Sequence, residues 1–249
     1  MHKKLSGKVA IVTGASKGIG ASIALQLAHE GAAVIVNYSS SQEGAQKVVS
    51  EIIQNGGKAL AIQANMKDPK DIQKLFSEVQ QNFGRLDILI NNAGVYEFAP
   101  IEDITLDHYH KIFDLNVVGL ILAIKEALKY FDSSGSIVNI SSVASTVAPA
   151  NTTVYSASKA AVDAITKSLG KELGPRNIRV NSINPGMVET EGTQTAGILE
   201  SEMRKRTESG TPLGRIGLPK DIAPAVAFLA SDDAAWITGE TLFISGGYR

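Results

Sequence analysis

Tyr155 and Lys159 stand four residues apart, and Ser142 lies thirteen residues before the tyrosine. Together these side chains can move a proton onto a carbonyl oxygen. A free phenol has a pKa near ~10, so it works as an acid or base at neutral pH only where something stabilises its anion, and a neighbouring ammonium does so. On a helix, positions i and i+4 share a face, which lets Lys159 support Tyr155 and reach a ligand common to both. Ser142 adds a hydroxyl that holds the substrate oxygen where the phenol proton must arrive. Alone, a Tyr-x-x-x-Lys pair reads more readily as a half-buried aromatic beside a solvated amine.

The start of the chain changes that balance. Residues 8–12 (KVAIV) read as a short buried strand that runs into Thr13-Gly14-Ala15-Ser16-Lys17-Gly18-Ile19-Gly20, followed by a helix with Ile19, Ile23 and Leu27 on one side. A strand, a glycine-rich turn and a helix N-terminus make an anion site, because glycines let backbone approach a pyrophosphate and unpaired N–H groups face it. Strand candidates continue at 33–36, 59–63, 86–90, 136–140, 179–183 and 242–244, with helical patterns between nearly all of them. This alternation predicts an α/β fold of the Rossmann type, a doubly wound, mostly parallel seven-stranded sheet covered on both faces, with ligands at the carboxyl ends of the strands. No linker, repeat or charge block divides residues 1–249, so one dinucleotide-binding and catalytic domain is expected.

In combination these segments resemble the short-chain dehydrogenase/reductase family along nearly the whole chain. The family's T-G-x-x-x-G-x-G loop corresponds to Thr13–Gly20, its N-N-A-G segment to Asn91, Asn92, Ala93 and Gly94, and its P-G-x-x-x-T segment to Pro185, Gly186, Met187, Val188, Glu189 and Thr190. The resemblance implies a catalytic tetrad of Asn116, Ser142, Tyr155 and Lys159, with Asn116 in a water-linked proton relay ending at the lysine. Lys159 would also hold the nicotinamide ribose and lower the pKa of Tyr155. Ser141 is a rival for the serine role, and the family's spacing favours its neighbour. Implied cofactor contacts are Gly14, Ser16, Lys17, Gly18, Ile19, Gly20, Asn37, Tyr38, Ser39, Asn65, Met66, Asn92, Ala93 and Gly94. Tyr155, Lys159, Pro185, Gly186, Val188 and Thr190 complete that set. The polar, glycine-bearing stretch 191–215 is by resemblance a mobile lid over the substrate. Family members pair through helices beginning near Leu106 and Tyr155, so a homotetramer is expected. Val162, Ile165 and Leu169 either serve that contact or face the sheet.

Cofactor choice turns on the end of the second strand, Val36-Asn37-Tyr38-Ser39-Ser40. A carboxylate there would bind the adenosine ribose and repel a 2′-phosphate. This chain has none, while Ser39, Ser40 and Lys17 can all donate to a phosphate, so NADP(H) is favoured and NAD(H) is the alternative. Three positions depart from the family pattern. Asn65 replaces an aspartate that contacts adenine, Ser145 replaces a glycine and is expected to reshape the pocket wall, and Ser245 replaces an aspartate near the subunit-contact end.

Composition narrows the partners. The 249 residues carry 24 basic and 25 acidic side chains for a net charge of -1, which offers no field for gripping nucleic acid or an anionic membrane. Cysteine is absent, and His108 and His110, two apart on a helical pattern, point apart and read as surface residues, so no metal site is expected. The basic start leads into an apolar run too short for a signal-peptide core, and the longest apolar stretch, 117–124, cannot span a bilayer. A cytoplasmic protein follows as the expectation.

The reaction expected is interconversion of a medium-sized ketone and a secondary alcohol. Enoyl reductases of the family carry Tyr-x6-Lys, and the three intervening residues here fit carbonyl chemistry instead. Pocket residues are expected from 95–98, 143–152 and the lid. Alternatives are a 3-oxoacyl group on acyl carrier protein, glucose or polyol oxidation, and, in another class, a non-catalytic regulator that senses the dinucleotide.

Overall fold

The computed structural model describes residues 3–195, 197 and 200–249. Its centre is a seven-stranded parallel sheet in the order β3-β2-β1-β4-β5-β6-β7. The strands are β1 Val9–Val12, β2 Ala33–Tyr38, β3 Lys58–Gln63, β4 Leu86–Asn91, β5 Phe131–Ile140, β6 Ile178–Pro185 and β7 Thr241–Ile244. The central strands are apolar almost without interruption because both faces are covered. Val9 and Ile11 belong to a core built with α3 (Pro69–Phe83), α5 (Leu120–Ala127) and α7 (Thr153–Glu172), the last preceded by the single-turn α6 (Ala144–Val147). Ala10 and Val12, on the alternate positions, join a second core with α1 (Gly18–His29), α2 (Gln42–Gln54) and α10 (Pro219–Ala230).

All seven expected strands are present, and most are longer than expected. The largest extension is at β5, where the polar, exposed Asp132-Ser133-Ser134 run reads as a loop yet is strand, since Phe131 pairs with Leu86 across a register shift. Val162, Ile165 and Leu169 pack into the core beside α3 and α5, which decides in favour of the sheet-facing reading.

Two features bear on the site. α4 (Leu106–Phe113) continues into α5 through a π-helical turn, Asp114–Gly119, that contains Asn116. Gly119 is required there, since a Cβ would meet the Met66 carbonyl. The stretch 191–215 is largely helical, with α8 at Glu191–Thr195 and α9 at Glu202–Gly210; its positions 196, 198 and 199, like 1 and 2, lie outside the described residues. His108 corrects the surface expectation: it is buried with Ile112, one turn along the inward stripe of α4, whereas His110 is exposed beside Asp114.

Candidate active site

The first turns after β4, β5 and β6 meet the N-terminal half of α7 around a cavity of about 260 Å³. Tyr155, Lys159, Ser142, Asn92, Gly94, Pro185, Gly186, Val188 and Thr190 all line it. Burial raises the pKa of Tyr155; a hydrogen bond with Ser142 opposes the rise, and nearby Tyr96 adds to it. The expected lowering by Lys159 is not found. Its ammonium lies 5.9 Å from the phenol ring centroid and donates to the Ile140 carbonyl at 2.9 Å. Burial pulls the Lys159 pKa down to about 8, against an upward contribution from Asp163.

The two serines separate cleanly. Ser141 is buried and donates to the Lys159 carbonyl at 3.0 Å, which commits it to the α7 backbone. The Ser142 hydroxyl accepts from the Ala144 N–H at 3.1 Å and keeps its proton for the cavity side. Asn116 is buried, and its side chain pairs with Val95 as a strand would: Oδ1 accepts from Val95 N–H and Nδ2 donates to Val95 C=O, both at 2.9 Å. Its other N–H reaches Ser158 Oγ at 3.1 Å. The amide therefore holds the chain after β4 against α7, with both donors committed and no side-chain proton to relay. π turns of this kind recur at functional sites because they reposition one residue without breaking the helix.

The glycine-rich loop is clamped by β4. Thr13 Oγ accepts from the N–H groups of Asn92 and Ala93 at 3.0 Å each, and the Asn92 amide donates back to Thr13 C=O at 2.9 Å and Gly14 C=O at 3.0 Å. Gly14 has φ of 62°, and a Cβ on Gly20 would meet the Asn92 amide and lie 2.5 Å from the Gly14 carbonyl. At the start of α1, Lys17 gives no side-chain cap and the first turn holds no acidic residue, so its amides face outward. One of them already holds an oxyanion: Gly18 N–H donates to the Glu191 carboxylate at 3.0 Å. A loop with glycines at the close approaches and an amide that takes an oxyanion fits a dinucleotide pyrophosphate.

Comparison with known proteins agrees. A family model described as enoyl-(acyl carrier protein) reductase matches residues 14–249. An uncharacterised oxidoreductase of Methylorubrum extorquens is 56% identical, over 99% of each chain. The chain belongs to the short-chain dehydrogenase/reductase family. Its members use NAD(H) or NADP(H). A versicolorin reductase of Emericella nidulans is 39% identical over 98% of this chain and 96% of its own, and a hydroxynaphthalene reductase-like protein of Metarhizium majus matches equally well. Among solved structures, a dehydrogenase/reductase from Sinorhizobium meliloti superposes with a TM-score of 0.94 at 39% identity, covering 100% of this chain and 97% of that one. A short-chain dehydrogenase/reductase from Serratia marcescens gives 0.93 at 39%, covering 98% and 99%.

Several expected contacts have other uses. Asn37 is buried, its Oδ1 accepting from Gly14 N–H at 3.1 Å and its Nδ2 donating to the Ile62 and Ala64 carbonyls at 3.3 and 3.1 Å. It shapes the loop, and Tyr38 and Met66 are buried in core. Asn65 accepts from Lys67 N–H at 3.1 Å, closing its own turn. Lys17, Ser39 and Ser40 are exposed at this end of the sheet. Ser145 does not shape the pocket wall, because its Oγ accepts from Asn184 at 3.0 Å. Glu97 is drawn off to Lys111, leaving Tyr96 and Phe98 on the cavity. Met187, Met203, Thr207 and Tyr248 also line it. Of these the least legible is Tyr248, a single aromatic near the chain end that packs beside Gly210 of α9.

Proposed function

We propose that the protein reduces small, flat ketones to secondary alcohols, and runs the reverse oxidation, with NADP(H) preferred over NAD(H). The observation that carries this reading is the convergence of Ser142, Tyr155 and Lys159 on one largely apolar cavity. When bound, the reduced nicotinamide supplies the hydride to the carbonyl carbon. Ser142 holds the carbonyl oxygen, and Tyr155 donates the proton as the C=O electrons move onto that oxygen. Lys159, fixed by the Ile140 carbonyl, would keep its remaining N–H groups for the ribose and for the phenolate left behind. Gly14, Ser16, Gly18, Ile19 and Gly20 would hold the pyrophosphate, and Pro185, Gly186, Val188 and Thr190 the carboxamide. Exposed Lys17, Ser39 and Ser40, with no carboxylate among residues 37–41 at the β2 end, support the NADP(H) preference.

Flat substrates are favoured by the wall opposite α7. Tyr96 and Phe98 stack on each other at 5.7 Å, and each is T-shaped to Tyr155, at 6.3 and 6.0 Å. Such rings receive an aromatic ketone by stacking. The relatives named for versicolorin and hydroxynaphthalene reduction point the same way. An acidic carrier protein would want free cations at the mouth, but Lys111 pairs with Glu97, Arg204 with Glu189 and Glu208, and Arg215 with Asp221. Leu106, Val118 and Ile121 leave apolar surface exposed along α4, the π turn and α5, which supports self-association, in keeping with the homotetramer expected from the family.

The test is the initial rate of NADPH and NADH oxidation with bicyclic aromatic ketones and a 3-oxoacyl thioester, set against Tyr155→Phe. The ketones should turn over faster than the thioester, NADPH faster than NADH. The variant should lose about 10³-fold in kcat while binding NADPH within about twofold. Tight dinucleotide binding with no turnover would replace this reading with the sensor.

A further inference from the structure

A buried polar cluster outside the proton-transfer set centres on Asp163 and Asn184. Asp163 lies one turn beyond Lys159 on α7, so Tyr155, Lys159 and Asp163 follow one another along a single helix face. Asp163 is buried, and Asn184, on β6, has no exposed surface at all. The Asn184 Nδ2 lies 2.9 and 3.2 Å from the two Asp163 carboxylate oxygens. It also lies 3.1 Å from the Ser142 carbonyl and 3.0 Å from Ser145 Oγ. One of its two N–H groups therefore serves the carboxylate, and the other serves the Ser142 turn. Ser182 closes the cluster, its hydroxyl within 3.1 Å of Asn184 Oδ1 and 3.4 Å of Asp163.

Burying a carboxylate is costly unless it is paired and hydrogen-bonded. An apolar residue at 163 would fill the same space more cheaply, so the charge must act on something nearby. We propose that Asp163 is a positioning residue for the proton-transfer set, fixing Ser142 through Asn184 and holding the charge of Lys159 through space. The proposal rests on the reductase reading above for the identity of that set.

The hydrogen bonds carry the first arm, and the one-turn spacing of Lys159 and Asp163 on α7 carries the second. Ser142 sits on a turn after β5, whereas Tyr155 sits on α7; the Asp163–Asn184 link ties those two elements through β6. It sets where the serine hydroxyl stands relative to the phenol. For Lys159, Asp163 is the charge that opposes burial. Among the described residues, the ammonium also meets the Ile140 carbonyl, the Gly94 backbone and the Tyr155 ring, none of them carrying a charge in the resting protein.

Two variants separate the arms. Asp163→Asn keeps an oxygen for the Asn184 N–H and removes the charge. Titration of Lys159 in protein carrying 13C-labelled lysine should move down by about one pH unit, and the alkaline limb of kcat should move with it. Asn184→Ala keeps the carboxylate and cuts its link to Ser142. There the Lys159 titration should stay within about 0.3 unit of wild type while kcat falls about tenfold and KM for the ketone changes less than twofold. An unmoved Lys159 titration in folded Asp163→Asn, or wild-type kcat in Asn184→Ala, overturns the proposal. The titration needs no turnover, so a shifted lysine in a protein inactive on every ketone would sink the reductase reading and leave the charge arm standing. If Asp163→Asn does not fold, Asp163→Glu replaces it, with retained charge and a longer reach: the lysine titration should hold while kcat drops, and the opposite pattern overturns the proposal.

Discussion

The two halves of the cleft are built from different material. Around β1 and α1 the cleft is lined largely by backbone: amides at a helix start, glycines at close approaches, and side chains such as Thr13, Asn37 and Asn92 that hold that backbone. Around β5, β6 and α7 the recognition groups are side chains, and side chains hold them, as Asn184 holds the Ser142 turn and Asp163. A backbone site takes any ligand with the right oxyanion and tolerates little change of shape. A side-chain site takes its chemistry from charges and hydroxyls whose behaviour depends on burial.

If that contrast is sound, shape should break the first half and charge the second. Beyond the loss expected for Tyr155→Phe, the largest effect should come from Gly20→Ala, whose methyl would overlap the Asn92 amide and the Gly14 carbonyl. NADPH affinity, followed by calorimetry, should fall more than about 100-fold, an equivalent of about 3 kcal/mol. The Lys159 titration should be untouched, and a shifted lysine in that variant would show the two halves to be coupled.

The second effect is a pH dependence of stability. Lys159 titrates near 8 in the folded chain and at 10.5 unfolded. Between those values the unfolded state binds more protons, so stability rises with pH. The penalty of the buried ammonium is fully present below pH 8 and is relieved as pH climbs toward 10.5. Relative to Lys159→Met, wild type should gain about 2 kcal/mol in urea unfolding between pH 8 and 9.5. Measurements should stop there, because Tyr155, raised by burial, pulls the other way once unfolded tyrosine ionises near ~10. A flat difference would mean the ammonium is better solvated than its burial indicates.

The smallest effect belongs to Glu191, whose carboxylate occupies the Gly18 amide. Glu191→Gln removes a like charge from the phosphate position and should tighten NADPH binding about threefold, with the gain fading at high salt. Unchanged affinity at low salt would show that the contact opens freely.

Legibility in the sequence follows the same division. The strands, the glycine loop and the turns at 91–94 and 185–190 are readable because each obeys a local rule: apolar runs for doubly covered strands, glycine where a Cβ cannot fit. Tyr155 and Lys159 are readable because helical spacing is local too. Asn116 is half readable: its motif marks it, but the pairing with Val95 depends on a π turn that no spacing announces. Tyr248, His108 and Ser145 were missed or misassigned because their neighbours arrive from distant parts of the chain.

The sequence by itself determined the seven strands, the parallel doubly wound sheet, the family and the residue types available for proton transfer, since these rest on periodicity, on backbone freedom and on motifs read together; the strand order came from the structure. Only the tertiary structure decided which serine spends its hydroxyl proton on the α7 backbone, that Asn37 holds the loop, and which way burial moves Tyr155 and Lys159. Those outcomes depend on desolvation and on hydrogen-bond partners from other elements, and such partners become neighbours only when β5, β6 and α7 are packed together.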